Sequence, residues 1–385
     1  MSALDQARRA IEDERDTLVS LSHFVHAHPE LGYEEFVSSA ALADQLEVWG
    51  FDVEREAAGL ATAFRATKGV GDFHVVYCAE FDALPDVGHA CGHNIIAASS
   101  LGAALGLAEV ADQLNLRVSV LGTPSEEGGG GKIDLINAGY FADEHVALMV
   151  HPFPTERLDA HCLAVDHFDV IFTGKEAHAS AAPWLGVNAL DALTIAQGAL
   201  GLLRQQLRPG DQFHGVVLEG GSAANIIPSR ALGRFMARAV TVGQLGELRQ
   251  RVNACFEAGA LATGADLQIV ELGHQFSHME SDPDVLAHYR TCAEALGRDF
   301  HLDDEGTPRP TLSTDMANVS LVVPSIHPLL MIPTDGAINH QPEFAAACVT
   351  PAADQALIDG AIALAGTAIA VAGDEKLRER LVRDS

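Results

Sequence analysis

Three short apolar runs constrain this chain more than any other feature. Residues 74–79 (His-Val-Val-Tyr-Cys-Ala), 116–121 and 146–150 are each long enough for one buried strand and too short for a buried helix. Between the first two, residues 94–112 are rich in Ala and Leu and read as helix. Residues 3–27 and 34–49 read as amphipathic helices, the second closed by Gly50. Strands alternating with helices predict an α/β layer with a mostly parallel central sheet. Its functional loops belong at the C-terminal ends of the strands.

The texture changes near residue 163. Residues 165–173 alternate as a strand, 187–206 read as helix, 213–219 and 231–240 as extended, 243–262 as helix and 266–272 as strand. This is the pattern of a small α+β domain with an antiparallel sheet. Texture like the first half returns after about 280. The expected organisation is a catalytic domain over 1–162 and 277–385, interrupted by an inserted lid domain over 163–276. A chain of 385 residues, 48% hydrophobic, supplies apolar side chains for two cores.

Charge narrows the partners. The 53 acidic residues outnumber the 24 basic ones, for a net charge of −29. No Lys/Arg cluster interrupts this surplus, so nucleic acid and anionic membrane surfaces are not expected partners. The N-terminal residues are charged and lack the apolar core of a signal peptide. The longest apolar tract, 360–373, is too short to span a bilayer and is expected to be a buried helix. The six cysteines show no paired spacing, which predicts reduced thiols and a cytoplasmic location.

The chemistry-bearing residues follow the three apolar runs. After the first comes Gly88-His89-Ala90-Cys91-Gly92-His93-Asn94, where a thiolate and an imidazole flank a glycine and can converge on one metal ion. After the second comes Pro124-Ser125-Glu126-Glu127 and a glycine run. Its spacing fails the phosphate-loop pattern, because Ile133 follows Lys132 and Glu126 stands where the first glycine belongs. Adjacent carboxylates instead suit metal-assisted hydrolysis, one as ligand and one as proton acceptor. After the third comes His151-Pro152, and Asn339-His340-Gln341-Pro342 stands near the C-terminus. Singly, each has an ordinary structural reading: a buried thiol, a solvated acidic turn, a loop histidine. Jointly, Cys91, His93, Glu127, His151 and His340 offer ligands for two metal ions, with Glu126 left as base.

In that order the motifs resemble the dinuclear-metal aminoacylase/carboxypeptidase superfamily of metallopeptidases, and within it the amidohydrolase branch. That branch includes hydrolases of hippurate, auxin conjugates and aminobenzoyl-glutamate. The resemblance spans nearly the whole chain, from His28-Pro29-Glu30-Leu31-Gly32 through Asp82-Ala83-Leu84-Pro85 to Asn225-Ile226-Ile227-Pro228 and His340. It implies that Cys91, His93, Glu127, His151 and His340 bind two divalent ions, zinc or manganese foremost, with cobalt and nickel as alternatives. It implies Glu126 as general base and Asp82 as support for the metal site. His178 would polarise the scissile carbonyl, reaching the partner subunit's site. Asn225 and Arg238 would contact substrate, and the lid would form a homodimer. Asn94 departs from the branch, where Asp is usual. With Ala79-Glu80-Phe81-Asp82 and Ser313-Thr314-Asp315-Met316, it resembles a sub-branch of dipeptidases acting on Xaa-Arg and β-alanyl-lysine. The expected activity is hydrolysis of an amide or peptide bond in a small dipeptide, with N-acyl amino acids as the alternative substrates. A metal-independent cysteine hydrolase, with Cys91 as nucleophile and His93 or His151 as base, leaves the glutamate pair and His340 without a task. A non-enzymatic metal-binding protein leaves Glu126 without one.

Overall fold

A computed structural model describes residues 1–384. The chain divides into two compact units, Met1–His161 together with the chain from Met279 onward, and Cys162–His278.

The first unit opens with α1 (Ala3–Asp13) and α2 (Arg15–Ala27), where the sequence predicts one helix. The helix breaks at Glu14 (φ −99°, ψ 13°), and the stripe Ala7, Ile11, Leu18, Leu21, Val25 stays buried across the break. Ser2 caps α1 reciprocally with Asp5. α3 (Phe36–Val48) ends just before Gly50, which takes the left-handed φ of 79° that stops a helix. Then follow β1 (Asp52–Arg55), β2 (Phe64–Lys68), β3 (Phe73–Ala79), α4 (His93–Ala108), β4 (Leu116–Gly122), α5 (Gly131–Asn137), β5 (Val146–Leu148) and β6 (His151–Phe153). The expected strand at 146–150 is therefore split. β5 pairs with β3, whereas His151 N donates to Pro328 O at 2.9 Å in a separate pairing.

The second unit holds β7 (Ala164–Thr173), α6 (Ala189–Leu203), β8 (Gln212–Glu219), β9 (Arg230–Ala239), α7 (Val242–Thr263) and β10 (Asp266–Glu271). Its sheet is antiparallel in the order β10-β7-β9-β8. Along β9, Ala231, Gly233, Phe235, Ala237 and Ala239 are buried and the residues between them are not, the period-two pattern of a one-sided sheet. Phe168, Phe213, Phe235 and Phe256 pack together in this unit's own core with α6 and α7. β8 forms one edge and leaves Val216 and Leu218 exposed.

The chain then returns to the first unit with α8 (Pro283–Glu294), β11 (Ser325–Ile326), β12 (Leu329–Met331) and α9 (Pro351–Gly373). The main sheet runs β1-β2-β4-β3-β5-β11. The β4/β3, β3/β5 and β5/β11 pairs are parallel, and the two pairs at the β1 edge are antiparallel. This is the mostly parallel layer expected, with an antiparallel sheet in the other unit. α9 is longer than the apolar tract that marks it, because the helix begins at Pro351, ahead of Gly360. Its length and composition would suit a membrane span, but 78% of its most apolar stretch is buried inside the protein. It packs against α4 and α8 as a core helix.

Candidate metal centre

β3 and β4 end side by side, Ala79 opposite Gly122. The loops that follow carry the polar groups expected there. Gly92 sits between Cys91 and His93 at φ 79°, as the residue preceding α4. A Cβ on it would lie 2.4 Å from Pro152 Cγ, so only glycine lets the Cys-Gly-His turn approach the His151 segment. Across from it, Ser125 takes a left-handed φ of 57° and its carbonyl accepts from Gly129 N and Gly130 N at 3.1 and 2.7 Å. A Cβ at Gly129 would meet Tyr33 and the Ser125 hydroxyl at 2.2 and 2.3 Å. The glycine run is thus a tight turn that presents Glu126 and Glu127.

His93 is wholly buried. Its Nδ1 lies 2.9 Å from both the Oδ1 and the carbonyl oxygen of Asp82, which fixes the proton on Nδ1 and turns the Nε2 lone pair inward. The other carboxylate oxygen of Asp82 accepts from Glu127 N at 3.0 Å, so one side chain positions both. His151 is set the same way. Its Nδ1 donates to Pro152 O at 2.9 Å, leaving Nε2 3.4 Å from Cys91 Sγ. His340, at a left-handed φ of 72°, is anchored by its N–H on Ala90 O at 2.8 Å. It brings Nε2 to 3.4 Å from Glu127 Oε1. Glu126 Oε2 lies 3.9 Å from His93 Nε2.

Three overlapping donor groups result: Cys91–His93–His151, Cys91–Glu127–His340 and Glu80–His93–Glu126, the ligand atoms within each lying within 4.8 Å of one another. His93 Nε2 and Glu127 Oε1 are buried with no hydrogen-bond partner. Buried polar atoms are almost always satisfied, so a pair of unpartnered, converging polar atoms of ligand type marks a place suited to a cation. The electrostatics agree. Burial works against a charged His93, but Asp82 overrides it and holds the imidazole well above its usual range. Burial and then Glu80, Glu127 and Asp315 push the Glu126 carboxyl well up. Burial and Glu127 do the same to the Cys91 thiol. Burial lowers His151 to about 4. The unrelieved negative charge suits a bound cation, which would favour the thiolate and carboxylate forms.

The sequence-predicted ligands Cys91, His93, Glu127, His151 and His340 therefore come together with Glu126 and Asp82. In the second unit, His178 and Asn225 lie on facing segments, with Ala179 N donating to Asn225 O at 3.0 Å and His178 bridged to Ile226. His178 Nδ1 accepts from Ser180 N and Ala181 N at 3.3 and 3.2 Å, which leaves its proton on Nε2. Arg238 stands near the far end of β9, on the face opposite α6 and α7, with its Nε 3.2 Å from Met236 Sδ. About 30 Å of extended chain separates it from Ser229, four residues beyond Asn225.

Residues 71–357 match the Peptidase family M20/M25/M40 model. The chain belongs to peptidase family M20. It is 38% identical to the Xaa-Arg dipeptidase of Mus musculus, across 95% of this chain and 88% of that protein. It is 34% identical to the Xaa-Arg dipeptidase of Homo sapiens, across 98% and 91%. Among solved structures it resembles the YXEP protein of Bacillus subtilis, described as a dinuclear metal-binding peptidase of the family. That match has a TM-score of 0.72 at 19% identity and covers 94% of this chain and 99% of that one.

This M20 peptidase also places residues at the centre that sequence reasoning missed. Glu80, Lys132 and Asp315 form a buried ion-pair chain behind Glu126. Glu80 appears in the sequence only as part of a sub-branch signature, and Lys132 only as a failed phosphate-loop lysine. His327 lies with its ring 5.4 Å from that of His151, and both its nitrogens are buried without partners. Its one available signal is its place in Pro324-Ser325-Ile326-His327-Pro328.

Proposed function

We propose that this M20 hydrolase is a divalent-metal-dependent dipeptidase, cleaving the peptide bond of a small dipeptide with a basic C-terminal residue. The observation that carries this reading is the set of bare inward ligand atoms, His93 Nε2 and Glu127 Oε1, beside Cys91 and His151. The two Xaa-Arg dipeptidases, alike over nearly the full chain, support the substrate class. Cys91, His93, Glu127, His151 and His340 would hold two ions, and imidazole, thiolate and carboxylate together suit zinc, manganese, cobalt or nickel. Bound there, the ions would supply Lewis acidity toward the amide carbonyl and the attacking water.

The chain's own residues supply the remainder. Glu126 takes the proton of the attacking water and returns it to the departing nitrogen. A bound cation would favour its carboxylate form, the form that accepts the proton. Asp82 fixes the His93 tautomer and the Glu127 backbone together. His178, with its proton on Nε2, donates to the carbonyl oxygen as negative charge develops there. Asn225 and Arg238 bind the substrate. Asn225 precedes β9 and Arg238 stands near its other end, a separation that favours contributions from two copies and supports a homodimer. The exposed β8 edge is the surface we assign to it.

Amine release from Xaa-Arg dipeptides, β-alanyl-lysine, hippurate, N-acetyl amino acids and aminobenzoyl-glutamate, with zinc or manganese and a chelator control, tests the reading. Chelator-sensitive cleavage of the basic dipeptides is expected. Preference for aminobenzoyl-glutamate, the substrate named for a 30% identical Escherichia coli relative, would move the assignment to an amidohydrolase. Glu126→Gln is expected to lower kcat by about 10²–10⁴-fold with metal content unchanged. Near-normal turnover would remove Glu126 as base.

A further inference from the structure

We propose that Glu80 is an additional ligand of the metal centre, sharing a cation with His93; this rests on the metal-dependent reading above. Glu80 directly follows β3, and its side chain is fully buried, as are those of Lys132 and His93. Its Oε1 accepts from Lys132 Nζ at 2.6 Å. The same ammonium donates to Asp315 Oδ1 at 2.6 Å, and Lys132 N donates to Asp315 Oδ2 at 2.9 Å. Two carboxylates against one ammonium leave one negative charge in excess where solvent does not reach. Such a charge is tolerated when it is paired or binds a metal ion.

The excess charge has a direction. Lys132 occupies one oxygen of Glu80, and the other, Oε2, is buried with no hydrogen-bond partner. It lies 3.5 Å from His93 Nε2, also buried and without a partner. The His93 proton is committed to Asp82 through Nδ1. The two atoms therefore face each other at 3.5 Å with no hydrogen bond between them, and a cation that displaces any Nε2 proton would find both lone pairs turned toward it. Two ligand atoms each about 2.0–2.2 Å from a tetrahedral ion lie about 3.3–3.6 Å apart, which is the spacing seen. Glu126 closes a third side of the same group. Lys132 thus acts as a positioning residue. It fixes the Glu80 rotamer and makes the carboxylate a one-oxygen ligand, while Asp315 balances the ammonium and leaves Glu80 its charge.

The chain's own chemistry supplies a control. Glu80→Gln and Asp315→Asn each remove one negative charge from the same ammonium, but only the first touches the proposed ligand atom. Glu80→Gln also leaves a neutral Lys132–Asp315 pair, so it is expected to fold. Glu80→Asp, which keeps the charge and withdraws the oxygen by one methylene, serves as a second variant. The readouts are cobalt(II) and zinc titrations of the metal-free full chain, followed by calorimetry and, for cobalt, by visible absorption. The expected result is two ions per wild-type chain. One of them is weakened at least a hundredfold, with an altered cobalt spectrum, in Glu80→Gln and Glu80→Asp; Asp315→Asn keeps the wild-type spectrum. Equal and small losses in Glu80→Gln and Asp315→Asn, with unchanged spectra, would reduce Glu80 to a distant charge and overturn the proposal. A wild-type chain that takes up no metal would instead overturn the metal-dependent reading on which it rests.

Discussion

Glu35, at the start of α3, reaches behind the glutamate turn: its Oε1 accepts from Ser125 N and its Oε2 from the Thr62 hydroxyl, both at 2.8 Å. Burial is the main reason its carboxyl is pushed up to about 7, with Asp82 adding to it. The folded metal-free chain keeps this proton where the unfolded chain, with an ordinary carboxylate near 4.5, has lost it. Stability therefore falls as pH rises from about 4.5 to about 7. Glu35→Gln keeps both hydrogen bonds with the amide turned toward Thr62, and carries no charge to bury. In chelated protein it is expected to be more stable than wild type at pH 8, by up to roughly 3 kcal/mol, and equal to it below pH 4.5. Urea denaturation at both pH values checks this; a difference independent of pH would place the effect elsewhere. At this scale the proposed ligands stand out in sequence, because they fall in short polar motifs just beyond the apolar runs or near the C-terminus. Lys132 is not: its role depends on Asp315, 183 residues onward, and on Glu80, 52 residues back.

The elements follow from local pattern where burial is one-sided and depart from it where partners change. β9 alternates in sequence and in burial alike. The split of 146–150 into β5 and β6 has no local signal, because it comes from a switch of partner, from β3 and β11 to β12. That switch carries His151 out of the main sheet and into the metal site. The break at Glu14 is likewise hidden, since Ala7, Ile11, Leu18 and Val25 keep helical spacing across it. β8 bears the element-scale prediction. An exposed edge strand with Val216 and Leu218 outward invites pairing with a second copy. Leu218→Lys is expected to convert a dimer to monomer by light scattering and to lower kcat/KM, while metal content stays that of wild type. Unchanged mass would move the interface off β8.

For the whole molecule, two cores predict two unfolding events. The α4/α9 core belongs to the first unit, which holds the candidate metal centre, and the Phe168–Phe256 core belongs to the second. Saturating zinc at about a hundred times Kd is expected to add about 2.7 kcal/mol to the first unit alone. By scanning calorimetry, one transition would rise by several degrees and the other stay in place. Movement of both together would mean that the two units unfold as one. The interrupted arrangement is visible in sequence as a change of texture at about 163 and a return at about 280. The same arrangement orders events on the ribosome. The second unit is one continuous segment and has all its packing partners once residue 278 is made. The first does not: α4, buried along most of its length, waits for α9 to cover it, and His340 is made only after the second unit is complete. Metal binding by the proposed ligand set is therefore expected only after His340 is made, and chains truncated before α9, which leave α4 uncovered, are expected to lose activity.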